Sequence, residues 1–396
     1  MIPYGKHYVD EDDIAAVANT LRYGNLTQGP KIPEFEEQVA AYVGAKYAVV
    51  VSSATAGLHL SYIALGVQAG DAVLTSPITF VSTANAAHYC GGRAVFADID
   101  RSTLNLDPGE VTKTLADHPD IKIEAPDLFP GSTAGIAEIS AVARSAEKYV
   151  VEDAAHALGA TYPSGAKVPS CGHSDSTGFS LHPVKSIAAG EGGIITTNDD
   201  AIYKSLLRLR SHGINKLDDE YINTHLAFTG DETNPWYYEM ASIGYHYRNT
   251  DIQISLAQSQ LKKLEQFLEH RRNIIRRYEA ELAPLEHIAA AQATNHQQSA
   301  NHLYPVAIDF EGLGTTRLTF MNNLKKAGIL TQVHYIPVHL HPFYAAQGWQ
   351  ADMFPQSMGY YNTALSLPLY YGLTDDDFDF VISCLKRTLK PSGLSN

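Results

Sequence analysis

Short apolar runs alternate with amphipathic stretches along the first half of the chain. Residues 12–21 and 34–43 carry apolar side chains at helical spacing, so each predicts a helix with one apolar face. The apolar run 47–51 instead predicts a buried strand, because it is short and rich in valine. The same reasoning predicts further strands at 72–75, 94–97, 149–152 and 193–197.

This alternation favours a mostly parallel central sheet with helices on both faces. Parallel strands need crossover connections, and helices usually supply them. A helical pattern that follows Gly57 and another at 136–148 fit that arrangement. We therefore predict an α/β fold in which residues 1–241 form a large domain.

The remainder of the chain, residues 242–396, predicts a smaller α+β domain. One long helical pattern covers 251–282, and its basic residues are interpreted as a solvated helix face. Strands are predicted at 303–308 and 331–336, with a helix at 318–327 between them. Two connecting segments have no predicted regular structure: 126–135, which is rich in proline and glycine, and 215–239, a long loop.

Composition narrows the class of protein. The 396 residues include 29 lysines and arginines against 43 acidic residues, a net charge of −14, which argues against a nucleic-acid partner. The three cysteines lie far apart without a Cys-x-x-Cys pair, so neither a disulfide framework nor a cysteine zinc site is expected. Neither a secretory signal nor an apolar run of about 18 residues is visible, so we expect a cytoplasmic protein without membrane spans.

Asp153 and Lys185 carry the clearest signal for chemistry. Asp153 ends an apolar strand, and ligands of open α/β sheets collect at such ends. Lys185 precedes a glycine-rich loop, where a desolvated amine can become nucleophilic. Pyridoxal 5′-phosphate (PLP) requires a lysine that forms a Schiff base and a carboxylate that keeps the ring nitrogen protonated. The pair therefore predicts a PLP enzyme.

Other residues suit the rest of that cofactor. Its phosphate needs a helix N-terminus with small residues, and the turn after the strand at 47–51 offers one. The candidate phosphate ligands are Ala54, Thr55, Ala56 and Ser180. Phe80 is a candidate for stacking on the ring, and His156 for contacting the ring or orienting Asp153. Each residue alone has a plain structural explanation, such as helix capping, so the prediction rests on their joint order.

His334, His339 and His341 form a cluster with two interpretations. Alternate histidines on a strand point to the same side, as metal ligands can. This run contains neither cysteine nor carboxylate, so the favoured interpretation is that His334 and Tyr335 contact a substrate.

Six segments follow each other in a recognisable order, at 26–30, 53–58, 152–159, 179–185, 190–193 and 210–213. Together they resemble the nucleotide-sugar aminotransferases of the DegT/StrS type, which are fold-type-I PLP enzymes, over essentially the whole chain. The resemblance implies a homodimer and a ping-pong reaction in which Lys185 holds the cofactor and moves the substrate proton. Relatives that lack this lysine are dehydratases or regulators, so its presence implies transamination.

Within that family, segments 26–29, 301–305 and 328–335 are similar to the UDP-sugar 4-aminotransferases of pseudaminic acid biosynthesis. This similarity implies L-glutamate as the amino donor. It implies a UDP-linked 4-keto-6-deoxy-N-acetylhexosamine as the acceptor, namely UDP-2-acetamido-2,6-dideoxy-β-L-arabino-hex-4-ulose. The residues implied in substrate binding are Tyr4, Gln28, Arg248, His302, Tyr304, His334 and Tyr335.

Two places depart from the family pattern. His246 stands where relatives commonly carry an asparagine that reaches the cofactor phosphate of the neighbouring subunit. His246 and Asn249 are the candidates to replace that contact. Segment 126–135 also differs, and no substrate contact is carried over to it.

Three alternatives stay open from the sequence. The acceptor can be the D-xylo isomer of the keto sugar, as in bacillosamine-type pathways. The protein can be a non-catalytic PLP-binding relative, against which the presence of Lys185 counts. An NAD-dependent oxidoreductase would carry Gly-x-Gly-x-x-Gly after the first strand, where Ser52-Ser53-Ala54-Thr55 stands instead.

Overall fold

A computed structural model describes residues 1–216 and 221–390. Its strands are β1 Tyr47–Val51, β2 Ala72–Thr75, β3 Arg93–Phe96, β4 Ile121–Ala125, β5 Tyr149–Asp153, β6 Ser176–Ser180, β7 Gly193–Thr197, β8 Ile214–Asn215, β9 Phe228–Thr229, β10 Glu232–Thr233, β11 Glu239–Met240, β12 Ile288–Ala290, β13 Tyr304–Ile308 and β14 Ala364–Leu367.

Its α-helices are α1 Glu11–Tyr23, α2 Lys31–Val43, α3 Ala54–Ala64, α4 Ser82–Tyr89, α5 Pro108–Asp117, α6 Ile136–Ser145, α7 Asp200–Arg210, α8 Thr224–Ala227, α9 Asp251–Leu261, α10 Leu264–Leu282, α11 Arg317–Lys326, α12 Pro342–Ala345, α13 Pro355–Thr363 and α14 Asp375–Thr388. Short 3₁₀ turns lie at Val338–Leu340 and Ala351–Met353.

The central sheet has seven strands in the order β1-β7-β6-β5-β4-β2-β3. Strand β7 is antiparallel to both neighbours, whereas the pairs from β6 to β3 are parallel. Successive side chains of a strand point to opposite faces. Val50 accordingly packs with Phe35 of α2 on one face, and Val49 packs with Leu58 of α3 on the other. The predicted fold, a mostly parallel sheet covered on both faces, is confirmed.

A second core lies in the C-terminal part of the chain. Strands β12, β13 and β14 form an antiparallel sheet, and α10, α11 and α14 pack on it through residues such as Tyr278, Phe320 and Phe378. Ile2 joins this core and exchanges backbone hydrogen bonds with Gly328 and Leu330, each 2.8 Å long. The first residues of the chain therefore lie against the smaller core, and a domain boundary after residue 241 stays a prediction.

Three predictions for the C-terminal part need correction. The pattern at 251–282 is helical as predicted, but it forms two helices, α9 and α10, that are separated at Lys262 and Lys263. Its basic residues are not all solvated, because Lys263 pairs with Asp10 and Asp13 and the buried Arg271 donates to backbone carbonyls.

The strand predicted at 331–336 is also absent, and this segment makes only an isolated bridge between Gln332 and Ser366. The helix predicted between the two strands is confirmed as α11. The predicted loop 215–239 contains α8, a small β9–β10 hairpin and β11 paired with β8, while residues 217–220 lie outside the described part. His334 and Tyr335 lie in this irregular segment, and both line a pocket that is described below.

The 19-residue α10 is the longest helix of the described part and carries many charged residues. Neither α10 nor any shorter helix described here has the character of a membrane span.

Gly193 holds the sheet close to the turn that opens α3. A Cβ at Gly193 would lie 2.6 Å from the backbone nitrogen of Ala54, so the Gly193→Ala chain must shift backbone atoms. We expect Gly193→Ala to destabilise the fold by about 1–3 kcal/mol, as overpacking does, and to weaken cofactor binding at this turn. Chemical denaturation and equilibrium dialysis measure the two effects.

Gly178→Ala is the matched control in the neighbouring strand. A Cβ at Gly178 has no atom within 4 Å, and this glycine is buried like Gly193. Its substitution should leave stability nearly unchanged. Equal losses for both variants would contradict the proposed steric role of Gly193.

Candidate active site

The carboxyl ends of three parallel strands meet at one edge of the central sheet. Asp127 follows β4, Asp153 ends β5, and Ser180 ends β6 with Lys185 five residues beyond it. Together with residues from the C-terminal part they line a cavity of about 360 Å³. Ligands of open α/β folds bind at this edge.

Asp153 is buried and held by two donors. The Thr83 hydroxyl donates to Oδ2 at 2.7 Å, and the Ala155 amide donates to Oδ1 at 3.1 Å. Burial raises the pKa of Asp153, while these bonds and the charge of Lys185 act against that shift. The carboxylate is therefore fixed in orientation and can accept a further hydrogen bond from a ligand in the cavity.

Lys185 lies in a loop that folds back on the end of β6. Its backbone amide donates to the carbonyl of His182 at 2.9 Å. The Leu181 amide donates to the carbonyl of Gly192, and the Leu181 carbonyl accepts from the amide of Ala189. Burial lowers the pKa of Lys185 to about 8, although Asp127 and Asp153 favour its charged form. A minor but far larger fraction of this amine than of a solvated lysine is therefore neutral near physiological pH, as a nucleophile or general base requires.

The turn before α3 contributes small residues to the cavity. Ala54 and Thr55 line it at the helix N-terminus, and Ser180 lines it from β6. The Ala56 amide donates to the Ser53 hydroxyl oxygen at 3.1 Å, so this capping bond already occupies the donor that the sequence assigned to a phosphate. Ser53 itself lines the cavity and was not among the predicted residues.

Aromatic rings close the cavity on its other sides. Phe80 lies in its wall with a half-exposed ring, 6.1 Å from the ring of Tyr335. Tyr4 lies in the wall as well, with its ring 5.0 Å from that of His334. Phe80 thus presents an open face to a ligand, and its role in stacking stays a prediction.

Three buried histidines face the same space. His156 Nε2 lies 3.1 Å from the Tyr335 hydroxyl, and the rings of His156 and His302 are 4.7 Å apart. Burial and the nearby Lys185 lower the pKa of His156 and His302 well below the usual value and that of His334 to about 3. All three histidines are therefore neutral at pH 7 and can donate or accept hydrogen bonds without adding charge.

Several predicted residues are not brought into this cavity. Tyr304 packs in the smaller core, stacked on Tyr278 at 5.0 Å. The Asn249 amide is taken by the carbonyls of Glu191 and Val51, at 3.0 and 3.4 Å. Three further predicted residues also lie outside the cavity wall, namely Gln28, Arg248 and His246.

The metal interpretation of the histidine cluster gains no support. Within residues 1–216 and 221–390, no three histidine, cysteine, aspartate or glutamate side chains come together as a candidate metal site. His339 is buried in a separate core beside Phe354, at 4.6 Å between ring centroids, whereas His334 faces the cavity.

Asp127 is the main residue that the sequence analysis missed. It belongs to segment 126–135, whose proline and glycine content concealed the strand before it. That strand, β4, interrupts its apolar residues with Lys122 and Glu124. The signal that could have found Asp127 is the one used for Asp153, a carboxylate directly after a strand of a parallel sheet.

Comparisons with known proteins give one consistent result. Residues 7–386 match the family model described as the DegT/DnrJ/EryC1/StrS aminotransferase family. The spore coat polysaccharide biosynthesis protein SpsC of Bacillus subtilis is 38% identical over 98% of this chain and 97% of its own length. A Campylobacter jejuni protein named UDP-4-amino-4,6-dideoxy-N-acetyl-beta-L-altrosamine transaminase is 34% identical over 98% of both chains.

Solved structures agree. Helicobacter pylori PseC, an aminotransferase involved in the biosynthesis of pseudoaminic acid, has a TM-score of 0.88 with 27% identity, over 98% of this chain and 99% of its own. The PLP-form of the putative sugar aminotransferase Spr1654 from Streptococcus pneumoniae has a TM-score of 0.86 with 27% identity, over 98% of both chains.

The low pKa of Lys185 leads to a testable pH dependence. When PLP is added to protein stripped of cofactor, only the neutral amine attacks the aldehyde. We expect the rate of attachment at Lys185 to rise with a midpoint near pH 8, whereas an ordinary lysine titrates near about 10.4. Rapid borohydride quenching and peptide mapping measure this rate, with the exposed Lys113 as internal reference. A midpoint above about pH 10 would contradict the desolvation argument.

Proposed function

We infer the function of this chain from one premise: it belongs to the DegT/DnrJ/EryC1/StrS aminotransferase family over residues 7–386. The chain is therefore a PLP-dependent sugar aminotransferase, and the alternative of an NAD-dependent oxidoreductase is wrong. We propose that it transfers the amino group of L-glutamate to C4 of UDP-2-acetamido-2,6-dideoxy-β-L-arabino-hex-4-ulose, a step toward pseudaminic acid.

One observation carries this choice of acceptor. Two Campylobacter jejuni relatives, 34% and 33% identical over 98% of this chain, are both named as transaminases for UDP-4-amino-4,6-dideoxy-N-acetyl-beta-L-altrosamine. The similarity to Helicobacter pylori PseC over 98% of this chain supports the same assignment. SpsC, which is 38% identical, shows that the family resemblance extends beyond one pathway, so the acceptor needs a direct test.

The cavity fits PLP. When bound, this cofactor supplies an aldehyde for an amine and a ring that withdraws electrons. Lys185 offers the amine, and Asp153 offers an anchored acceptor for the ring N–H. Thr55 and Ser180 offer hydroxyls for a phosphate beside the N-terminus of α3. Phe80 offers an open aromatic face for the ring.

We assign the proton transfers to Lys185. A group with a pKa of about 8 can accept a proton and return it near physiological pH. His156, His302 and His334 stay neutral over that range, so they do not compete as strong bases or acids. One amine thus serves both halves of the reaction, removing the α-proton of glutamate and later delivering a proton during amination of the sugar.

Sugar recognition falls to the uncharged wall of the cavity. Tyr4, His302, His334 and Tyr335 come from the N-terminal segment and the C-terminal part, and face Lys185 across the space. Neutral imidazole and phenol groups suit the hydroxyl and acetamido groups of a hexosamine. We assign the diphosphate to residues at the rim, with Arg248 and Gln28 as candidates.

A homodimer would complete the site. Segment 222–243 exposes a run of large apolar side chains, which monomeric proteins rarely leave in water. Its members are Ile222, Leu226, Phe228, Trp236, Tyr238, Met240 and Ile243. We propose that a second copy of this chain covers them and that His246, which is exposed close to them, reaches the cofactor phosphate of that copy. Asn249 is excluded from this role by its bonds within the chain.

The dimer proposal predicts an asymmetric response to two surface substitutions. Ile243→Glu places a charge in the apolar run, where Ile243 is 80% exposed, and should shift the protein toward monomer. Leu318→Glu is the matched control, because Leu318 is 70% exposed on α11, outside that run. Light scattering after size exclusion measures the mass. An unchanged dimer for Ile243→Glu would contradict the proposed interface.

The acceptor is tested by supplying both 4-keto isomers with L-glutamate to the purified enzyme. We expect the β-L-arabino isomer to be aminated at C4 with the larger kcat/KM, and oxoglutarate to appear in equal amount. Mass spectrometry and NMR identify the product and its configuration. A preference for the D-xylo isomer would replace the proposed acceptor and point to a bacillosamine-type pathway.

The Lys185→Ala variant separates catalysis from binding. Without an amine at this position, neither half-reaction can move its proton, so we expect turnover to fall by at least about 10²-fold. Amination at an undiminished rate by Lys185→Ala would overturn the role assigned to this lysine. Absence of turnover in the unaltered enzyme, with PLP still bound, would favour a non-catalytic relative.

A further inference from the structure

The proposed reaction uses Asp153 but leaves a second buried carboxyl beside it unexplained. Asp127 follows β4 and forms a backbone bridge with Asp153 of the adjacent parallel strand. Bridged residues of neighbouring strands place their side chains on the same side of the sheet. Asp127 is almost fully buried, lines the same cavity, and its Oδ1 has no hydrogen-bond partner.

Two threonine hydroxyls lie beside these carboxyls. The Thr83 hydroxyl lies 2.7 Å from Asp153 Oδ2 and 3.0 Å from the Thr79 hydroxyl. Each hydroxyl has one proton to donate. Both also lie 3.3 Å from the Phe80 carbonyl, a longer contact than those within the chain of hydroxyls.

The lengths of these bonds give the chain a direction. A bond to a carboxylate is the strongest available, so Thr83 donates its proton to Asp153. The Thr83 oxygen then accepts in its contact with Thr79, which uses the single proton of Thr79. Neither hydroxyl proton is then free for Asp127, which lacks the donors that stabilise a carboxylate.

Electrostatics lead to the same assignment. Two adjacent buried carboxyls do not both ionise, because like charges repel strongly away from water. Asp153 has two donors, whereas Asp127 has an oxygen without any partner. Burial and the charge of Asp153 raise the pKa of Asp127 well above its usual value, against the opposing effects of the nearby Thr79 hydroxyl and of the charge of Lys185. Tyr335, the other titratable group facing Asp127, is held neutral because burial raises its own pKa.

We propose that Asp127 is a protonated carboxyl beside an ionised Asp153, and that it confines the negative charge of the site to Asp153. It is a positioning residue that acts through Asp153. This inference rests on the proposed contact between Asp153 and the ring nitrogen. A single fixed anion at that place keeps the ring nitrogen protonated, whereas a mobile proton shared with Asp153 would weaken it.

Infrared difference spectroscopy of the holoenzyme reads the protonation of Asp127 directly. Spectra of the unaltered enzyme and of Asp127→Asn are compared at about pH 8, where an ordinary aspartate is fully ionised. We expect the difference to contain the carbonyl stretch of a protonated carboxylic acid. Carboxylate bands in its place would overturn the proposal. Because only Asp127 differs, other buried carboxyls such as Glu124 and Glu152 cancel.

The pH titration of the visible absorption of the holoenzyme gives a second readout. The amide of Asp127→Asn is uncharged like the protonated carboxyl it replaces, so we expect the midpoint to move by less than about half a unit. Asp153→Asn should move the midpoint further than Asp127→Asn does, because loss of a nearby negative charge moves a pKa by about one unit or more.

The outcomes separate the two claims. If Asp153→Asn leaves the absorption titration unchanged, the proposed role of Asp153 fails, and the infrared difference still decides whether Asp127 is protonated. If Asp153→Asn shifts the titration and Asp127→Asn shifts it equally, both carboxyls carry charge and the inference about Asp127 alone is overturned.

Discussion

The structure depends on a desolvated lysine that faces two carboxyls at the edge of a parallel sheet. Burial disfavours the charged form of Lys185 and lowers its pKa to about 8, and the negative charge of Asp153 opposes that shift. A fully solvated amine would be almost entirely protonated at that pH and a poor nucleophile. The balance between burial and charge, rather than either one, makes this amine useful for both nucleophilic attack and proton transfer.

The fold provides this balance through its topology. Parallel strands bring their carboxyl ends together, so residues far apart in sequence meet without a dedicated scaffold. Gly193 lets β7 approach the turn before α3, which places the candidate phosphate turn against the same edge. The C-terminal part then covers the edge with neutral side chains, and the hydrogen bond between Tyr335 and His156 connects that cover to the sheet.

The sequence alone was sufficient to predict the central sheet and the two residues at its edge. Runs of valine and isoleucine bounded by helices predicted the sheet, and Asp153 and Lys185 stood out because each sits where such a sheet binds ligands. The sequence was insufficient for residues whose role comes from tertiary contacts that the local pattern does not indicate. Asp127 follows a strand with charged residues on one side, and Thr83 looks like an ordinary helix residue until its hydroxyl is seen to donate to Asp153.

The same limit explains the misplaced substrate residues. Tyr304 follows His302 by two residues, yet Tyr304 begins β13 and packs in the smaller core, whereas His302 precedes that strand and faces the cavity. Arg248 and His246 lie outside the cavity wall of a single chain. The role proposed for His246 belongs to the proposed dimer, which local sequence pattern does not describe.

Reductive trapping tests the central claim most directly. The enzyme as purified with its cofactor is treated with borohydride, digested and mapped by mass spectrometry. The account predicts one reduced pyridoxyl group, attached to Nζ of Lys185. A pyridoxyl group on a different lysine would contradict the account, because the amine beside Asp153 and Asp127 would then not be the one that binds the cofactor.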